Sequence, residues 1–225
     1  MATTKAPGAG RYLPENRTLP ALRHAASGCR GCTLYENATQ TVFGEGPRDA
    51  PLMLVGEEPG DQEDRQGHPF VGPAGRLLAR ALDAAGIDPE RTYQTNAVKH
   101  FKFTRKETKR RIHQKPSRTE VVACRPWLIA EIEAVRPQVI VCLGATAAQA
   151  LLGTAFRVST GRGEVLDLPA EVELRVRQRP MVVATVHPSA VVRDRSDQRE
   201  ETYRQFVADL RAARSAGRRV ARRAV

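Results

Sequence analysis

Apolar residues gather in four short runs: Pro51-Leu-Met-Leu-Val-Gly56, Thr92-Tyr-Gln-Thr-Asn-Ala-Val98, Val139-Ile-Val-Cys-Leu-Gly144 and Met181-Val-Val-Ala-Thr-Val-His187. Each has strand length, and apolar runs bounded by turn residues suit strands buried on both faces. Between them the period lengthens to that of a helix. Pro73 to Ala85 carries Leu77, Leu78, Ala81 and Leu82 and is closed by Gly86. Arg118 to Val135 is a long amphipathic stretch, Ala145 to Leu152 stops at Gly153, and Gln198 to Arg214 places Tyr203, Phe206, Val207 and Leu210 on one face. Arg157 to Arg179 reads as an irregular excursion with a short edge strand near Gly163 to Leu168. This alternation predicts an α/β domain, a three-layer αβα sandwich around a mainly parallel four-stranded sheet. The expected organisation is a mobile Pro/Gly-rich arm over residues 1–20, one domain over 21–212, and a basic tail over 213–225.

Open parallel sheets bind ligands beyond the carboxyl ends of their strands. Here those ends carry Glu57 and Glu58, Asn96, and His187. Taken singly, a terminal Glu is often a cap and a terminal His a satisfied structural residue. Together, two carboxylates, an amide and an imidazole are expected in one crevice.

Charge adds a direction to this picture. The 225 residues carry a formal net charge of +11. Lys99 to Arg118 holds nine Lys or Arg against one acid, Glu107, and Arg211 to Val225 holds six arginines and no acid. Those two segments sum to +14, leaving −3 for the rest of the chain. Phe101 and Phe103 alternate with the lysines, and Thr104 to Thr108 has no apolar period. A long basic loop leaving the strand that holds Asn96 suits a phosphate backbone, with Lys109 and Arg110 as backbone contacts. The bland alternative is a solvated charge run. His113 follows Lys109-Arg110-Arg111, and a cationic field favours a neutral imidazole with a free lone pair. Nothing at the N-terminus resembles a signal peptide, and no apolar run reaches membrane-span length. A cytoplasmic protein in contact with nucleic acid, and not with a membrane, is expected.

The cysteines are Cys29-x2-Cys32, then Cys124, then Cys142. In a reducing compartment four thiols are better read as ligands than as disulfides. Structural zinc and an iron–sulfur cluster both fit, as do four unliganded buried cysteines. A metal site would staple the N-terminal segment to the sheet.

Gly56-Glu-Glu-Pro-Gly60, Phe70-Val-Gly-Pro-Ala-Gly-Arg-Leu-Leu78, Thr95-Asn-Ala-Val-Lys-His-Phe101 and His187-Pro-Ser189, with this cysteine order, resemble an iron–sulfur uracil-DNA glycosylase of family 4. Lys109-Arg-Arg-Ile-His113 narrows the likeness to the X-type branch (UdgX), whose members bind uracil-DNA and become covalently attached to it. The resemblance implies a 4Fe–4S cluster on Cys29, Cys32, Cys124 and Cys142. It implies uracil-containing DNA as partner, single strands preferred, bound by a monomer.

The roles it implies are chemically coherent. A flipped uracil is read by its hydrogen-bonding edge and a stacking platform. Phe70 would be the platform and Asn96 the edge reader. His187 would meet the growing charge on the departing base. Ser189 follows it in the motif and belongs to the same substrate-binding group. Asp61 and Glu63 would position the base and exclude the methyl of thymine. Glu57 is the catalytic acid position. His113 would capture the anomeric carbon, and Arg111 would orient its loop or bind phosphate. One position departs from the pattern: Glu58 stands where X-type members carry Gln. A second acid there weakens base binding by repulsion or raises one carboxylate's pKa. Two readings stand beside this one: a conventional family-4 glycosylase that turns over, and a non-catalytic DNA-binding module with structural zinc.

Overall fold

A computed structural model describes residues 7–105 and 110–223. Its central sheet has five strands rather than four, in the order β2-β1-β5-β7-β6. β1 (Leu52–Gly56), β2 (Thr92–Asn96), β5 (Val139–Leu143) and β7 (Met181–Thr185) are the four apolar runs, and all pair in parallel. The fifth, β6 (Val165–Asp167), lies antiparallel on β7. It is the edge segment expected inside the irregular excursion, and its three residues join the sheet through the ladder to β7.

Pleat alternation divides the core in two. Leu52, Leu54, Val139, Val141 and Val183 face α3 (Pro73–Ala84), α7 (Pro188–Arg193) and α8 (Arg199–Arg223). Met53, Val55, Ile140, Cys142, Val182 and Ala184 face α4 (Arg118–Val135) and α5 (Ala145–Leu152). Helices on both faces are what continuous apolar strands require. A third apolar cluster lies outside α4, where Leu22 and Ala26 of α1 (Leu19–Ser27) meet Ala123, Trp127 and Ala130. The short helices α2 (Asp61–Gln66) and α6 (Val158–Gly161) complete the set.

Three expectations change here. The N-terminal arm is tied down at Gly8 and Ala9: the Gly8 N–H donates to the Gly31 carbonyl at 2.9 Å and Ala9 is buried. The basic tail is not separate, because α8 continues to Arg223 and buries Ala213 and Ala216. Arg211 and Arg214 donate to the carbonyls of Ala84 and Ala85, capping the end of α3 with positive charge. Within the basic loop, β3 (Phe103–Arg105) and β4 (Arg111–His113) form an antiparallel hairpin with Phe103 opposite His113. Lys109 lies outside the described residues. No helix among those described is long and apolar enough to cross a membrane.

Candidate active site

At the carboxyl end of the sheet is a cleft of about 640 Å³ lined by Glu57, Glu58, Asp61, Glu63, Phe70, Asn96, Arg110, Arg111, His113, His187 and Ser189. Every described residue proposed for substrate or catalysis therefore reaches one place. The cause is topological: β1, β2 and β7 all end at one edge of the parallel sheet, with β5 between β1 and β7, and the hairpin's His113 stands against the two glutamates that follow β1.

The end of the cleft around Asn96 and Phe70 is preorganised by backbone. Asn96 is the last residue of β2, directly opposite Gly56, and is buried. A Cβ on Gly56 would collide with Asn96 Oδ1 and lie 2.9 Å from Phe70 Cζ, so this glycine leaves room for both. Phe70 has φ 56°, left-handed for a residue with a side chain. Gly75 lets the Phe70 carbonyl approach α3, where any side chain would clash with it. Glu63 accepts from the Gly72 N–H at 2.8 Å and pins the same turn. Glu63 thus helps fix the turn that sets Phe70.

His187 is neutral, its pKa pushed down to about 4, first by burial and then by Arg193 and His113. The Ser189 N–H donates to Nδ1 at 3.1 Å, and Ser189 Oγ lies 2.8 Å from the same nitrogen. A ring accepting at Nδ1 carries its proton on Nε2. Ser189 therefore makes His187 a neutral donor, suited to an oxygen gaining negative charge.

Glu57 is half-buried, and its Oε2 accepts from Thr146 Oγ1 at the start of α5. Nothing in the sequence motifs pointed to Thr146. His113 Nε2 lies 4.0 Å from Glu57 Oε1 and 3.0 Å from Glu58 Oε1. The Glu58 side chain is 0% exposed and that of His113 44% exposed. The contact is close but poorly angled, so among the described residues both Glu58 oxygens are buried without a well-formed hydrogen bond. Burial raises the Glu58 pKa to about 7, against the lowering effect of His113. His113 is raised in turn, chiefly by Glu58. The basic run predicts a neutral His113; the fold sets the ring against a carboxylate instead, and the nearer charge wins. A raised carboxylate pKa is one of the two effects expected of a second acid at this position.

Arg111 does not offer its charge to a phosphate. Its guanidinium donates to Asp61 Oδ1, to Asp64 Oδ2 at 2.5 Å and to Thr39 Oγ1 at 3.1 Å, and its side chain is 8% exposed. It also lies over the stacked rings of Phe101 and Phe103, 5.4 and 5.0 Å from their centroids. Arg111 thus orients the loop, and the two aromatics build the hairpin's base. Asp61 is occupied by Arg111 and by Arg65 at 2.9 Å, so it anchors the hairpin. Asp64, fully buried, was invisible as a site residue because an acid early in a helix reads as an ordinary N-terminal charge.

The cysteines divide. Cys29, Cys32 and Cys124 line one small cavity with His100, Lys99 and Trp127. Trp127 Nε1 donates to Cys29 Sγ at 3.2 Å, and the Lys99 N–H to Cys124 Sγ at 3.3 Å. Cys142 is a correction: it sits in mid-sheet between Val55 and Ala184, under Leu128 and Ile132, on the sheet side of α4. The other three lie on that helix's outer side. Position 142 is reached by the pleat, which directs it into the core whatever the spacing suggests. His100 is the remaining donor at the cavity, held by Thr41 Oγ1 at 2.9 Å and kept neutral by burial, its pKa lowered to about 4. Burial pushes the Cys124 thiol up to about 12, so thiolates there need a strongly positive partner. Among the described residues no three His, Cys, Asp or Glu side chains stand close enough to hold a single metal ion.

One interaction escaped the sequence entirely. Lys99 Nζ is buried against Glu131 Oε2 at 2.5 Å and donates to the Asn96 carbonyl at 2.7 Å and Thr95 Oγ1 at 2.6 Å. Glu131 also accepts from Tyr93, Thr95 and the Gly44 N–H. The available signal was Glu131 itself, an acid on the apolar stripe of Leu128, Ile132 and Val135.

The fold is a mainly parallel sheet between helix layers, with an amide, an imidazole and a carboxylate pair brought into one cleft at its carboxyl edge. The uracil DNA glycosylase superfamily model matches residues 43–211, and the chain belongs to that superfamily. Within it, the chain is 37% identical over 188 residues to the type-4 uracil-DNA glycosylase of Thermotoga maritima, covering 83% of this chain and 88% of the relative. It is 39% identical over 164 residues to the type-4 uracil-DNA glycosylase of Archaeoglobus fulgidus, covering 73% and 78%. The solved structure of wild-type SMUG2 from Pedobacter heparinus shares the fold, with a TM-score of 0.52 at 12% identity over 74% of this chain and 77% of that one.

Proposed function

We propose that this protein excises uracil from DNA and that His113 then captures the exposed sugar carbon, leaving protein and DNA joined. The observation that carries the second step is His113 Nε2 standing between Glu57 and Glu58 at the mouth of the cleft. In this reading the flipped uracil stacks on Phe70, and Asn96 donates to its exocyclic oxygen and accepts from its imide N–H. Cytosine offers the opposite pattern at that edge. His187 Nε2–H meets the other carbonyl as the base departs with negative charge, and a preorganised donor at a developing anion contributes strongly to catalysis. Glu57, oriented by Thr146, faces the sugar and stabilises its positive charge. A carbon captured by an imidazole nitrogen has a poor leaving group, so turnover stops after one event.

A 4Fe–4S cluster fits the second cavity in donor chemistry, with Cys29, Cys32, Cys124 and His100 as the groups to hold it. When bound, such a cluster cross-links the segments that carry its ligands and supplies folding free energy. Lys99 lies between this cavity and the Asn96 backbone, so order on one side steadies the other.

The relatives' type-4 character favours a second reading, in which water replaces His113 and the enzyme turns over. Uracil-containing single strands incubated with the protein and run on a denaturing gel separate the two. The proposed reading gives a boiling-resistant adduct with uracil strands and none with thymine strands. His113→Ser should abolish that adduct while releasing free uracil and leaving abasic DNA. Undiminished adduct from folded His113→Ser protein overturns the role of His113.

A further inference from the structure

We propose that Glu58 controls the capture step by holding a proton on the His113 nitrogen that must attack. This rests on the reading of His113 as nucleophile, and adds to it a regulator that belongs to this chain's own sequence.

His113 Nε2, not Nδ1, is the nitrogen 3.0 Å from the Glu58 carboxylate and 4.0 Å from Glu57. A nitrogen facing two acids carries a proton, and a protonated nitrogen has no lone pair. Glu58 cannot turn away to water, because its side chain is wholly buried and its oxygens have no well-formed hydrogen bond among the described residues. Glu57 and the Lys102 backbone N–H also face it, the first raising and the second lowering its pKa. The remaining charges around the ring are few. Arg193 on α7 opposes protonation of His113, the buried His187 is itself kept neutral in part by His113, and the charge of Arg111 is already engaged by Asp61 and Asp64. The Phe101 ring centroid, 5.9 Å from that of His113, leaves the ring one sheltered side. Glu58 and His113, 3.0 Å apart and both raised, titrate as one coupled pair.

Uracil leaves with the electron pair of the broken C1′–N1 bond. Nε2, having passed its proton through Glu58 to water, forms the bond to C1′ with its lone pair. The Nδ1 proton is then lost to water, leaving a neutral alkylated ring. While the pair keeps its proton, water reaches the sugar cation first and an abasic site results. Low pH therefore favours ordinary excision, and higher pH favours capture.

The test measures partition, which is decided after uracil has left and so is insensitive to the rate of excision. Single-turnover reactions on a uracil-containing single strand, at a series of pH values, are scored for the ratio of protein-joined to free abasic sites. For the unaltered protein this ratio should rise about tenfold per pH unit along its acid limb, as a single-proton loss requires. Glu58→Gln and Glu58→Ala should move that limb to lower pH and raise the ratio about tenfold in the acid range. Imidazole NMR of the free proteins should show the His113 midpoint falling in both variants. An unchanged NMR midpoint overturns the proposal alone. A ratio that falls at every pH in the variants also overturns it, since Glu58 would then assist capture. If no protein forms adduct at any pH, the reading of His113 as nucleophile fails and takes this proposal with it.

Discussion

At the scale of single residues, the fold reassigns chemistry among neighbours of one type. Four cysteines looked equivalent in the sequence, yet three share a cavity with His100 and the fourth is a core side chain. Substitution should separate them. Cys142→Ala should keep the visible absorption of a bound cluster and cost on the order of 1 kcal/mol of stability, the scale of a small cavity. His100→Ala should lose that absorption, because it removes a donor with no replacement within reach. Absorption spectra of the two purified variants, beside urea unfolding, decide the assignment. Cys29, Cys32 and Cys124 were legible because a C-x2-C pair and one further thiol suffice to suggest a metal. His100 was not, because only the return of the Lys99–Phe101 segment beside α1 and α4 brings it there.

Among elements, the β3–β4 hairpin is the part that distinguishes this cleft. Nine cations over Lys99 to Arg118 suggested one electrostatic surface, but among the described residues three are paired with acids of the same chain. Lys99 pairs with Glu131, Lys102 with Glu120 at 2.8 Å, and Arg111 with Asp61 and Asp64. What remains is a positioning device: α2 holds Arg111, Arg111 covers Phe101 and Phe103, and His113 ends the strand opposite Phe103. Asp64→Ala should loosen that anchor without touching Phe70, Asn96 or His187. Adduct formation should fall about 10- to 100-fold, the usual cost of misplacing a reacting group by about 1 Å. Uracil release should persist, and quantifying both products from one reaction checks the split.

Across the whole molecule, a buried ion pair connects the two sites. Lys99 is 1% exposed and Glu131 0% exposed, and their hydrogen bonds reach β2, the Gly44 loop and the Asn96 carbonyl. Lys99→Met should destabilise by about 3–5 kcal/mol, because it strands a buried carboxylate. Adding Glu131→Gln should recover most of that loss. Unfolding midpoints of the single and double variants test this, and a single variant within about 1 kcal/mol of the parent would show that the carboxylate is not stranded.

The order of strands and helices, the convergence of Glu57, Glu58, Asn96 and His187, and the presence of a basic insertion with a histidine were set by local pattern. Apolar period chooses strand or helix, and parallel topology then carries the strand ends to one edge. What sequence could not settle was every contact between residues far apart in the chain: Arg111 with Asp64, Lys99 with Glu131, His113 with Glu58, and His100 beside the cysteines. Charge and protonation depend on the nearest partner and on burial, and both are properties of the packed chain. Local composition therefore gave a neutral His113 in a cationic field, whereas the folded protein sets that ring against a buried acid.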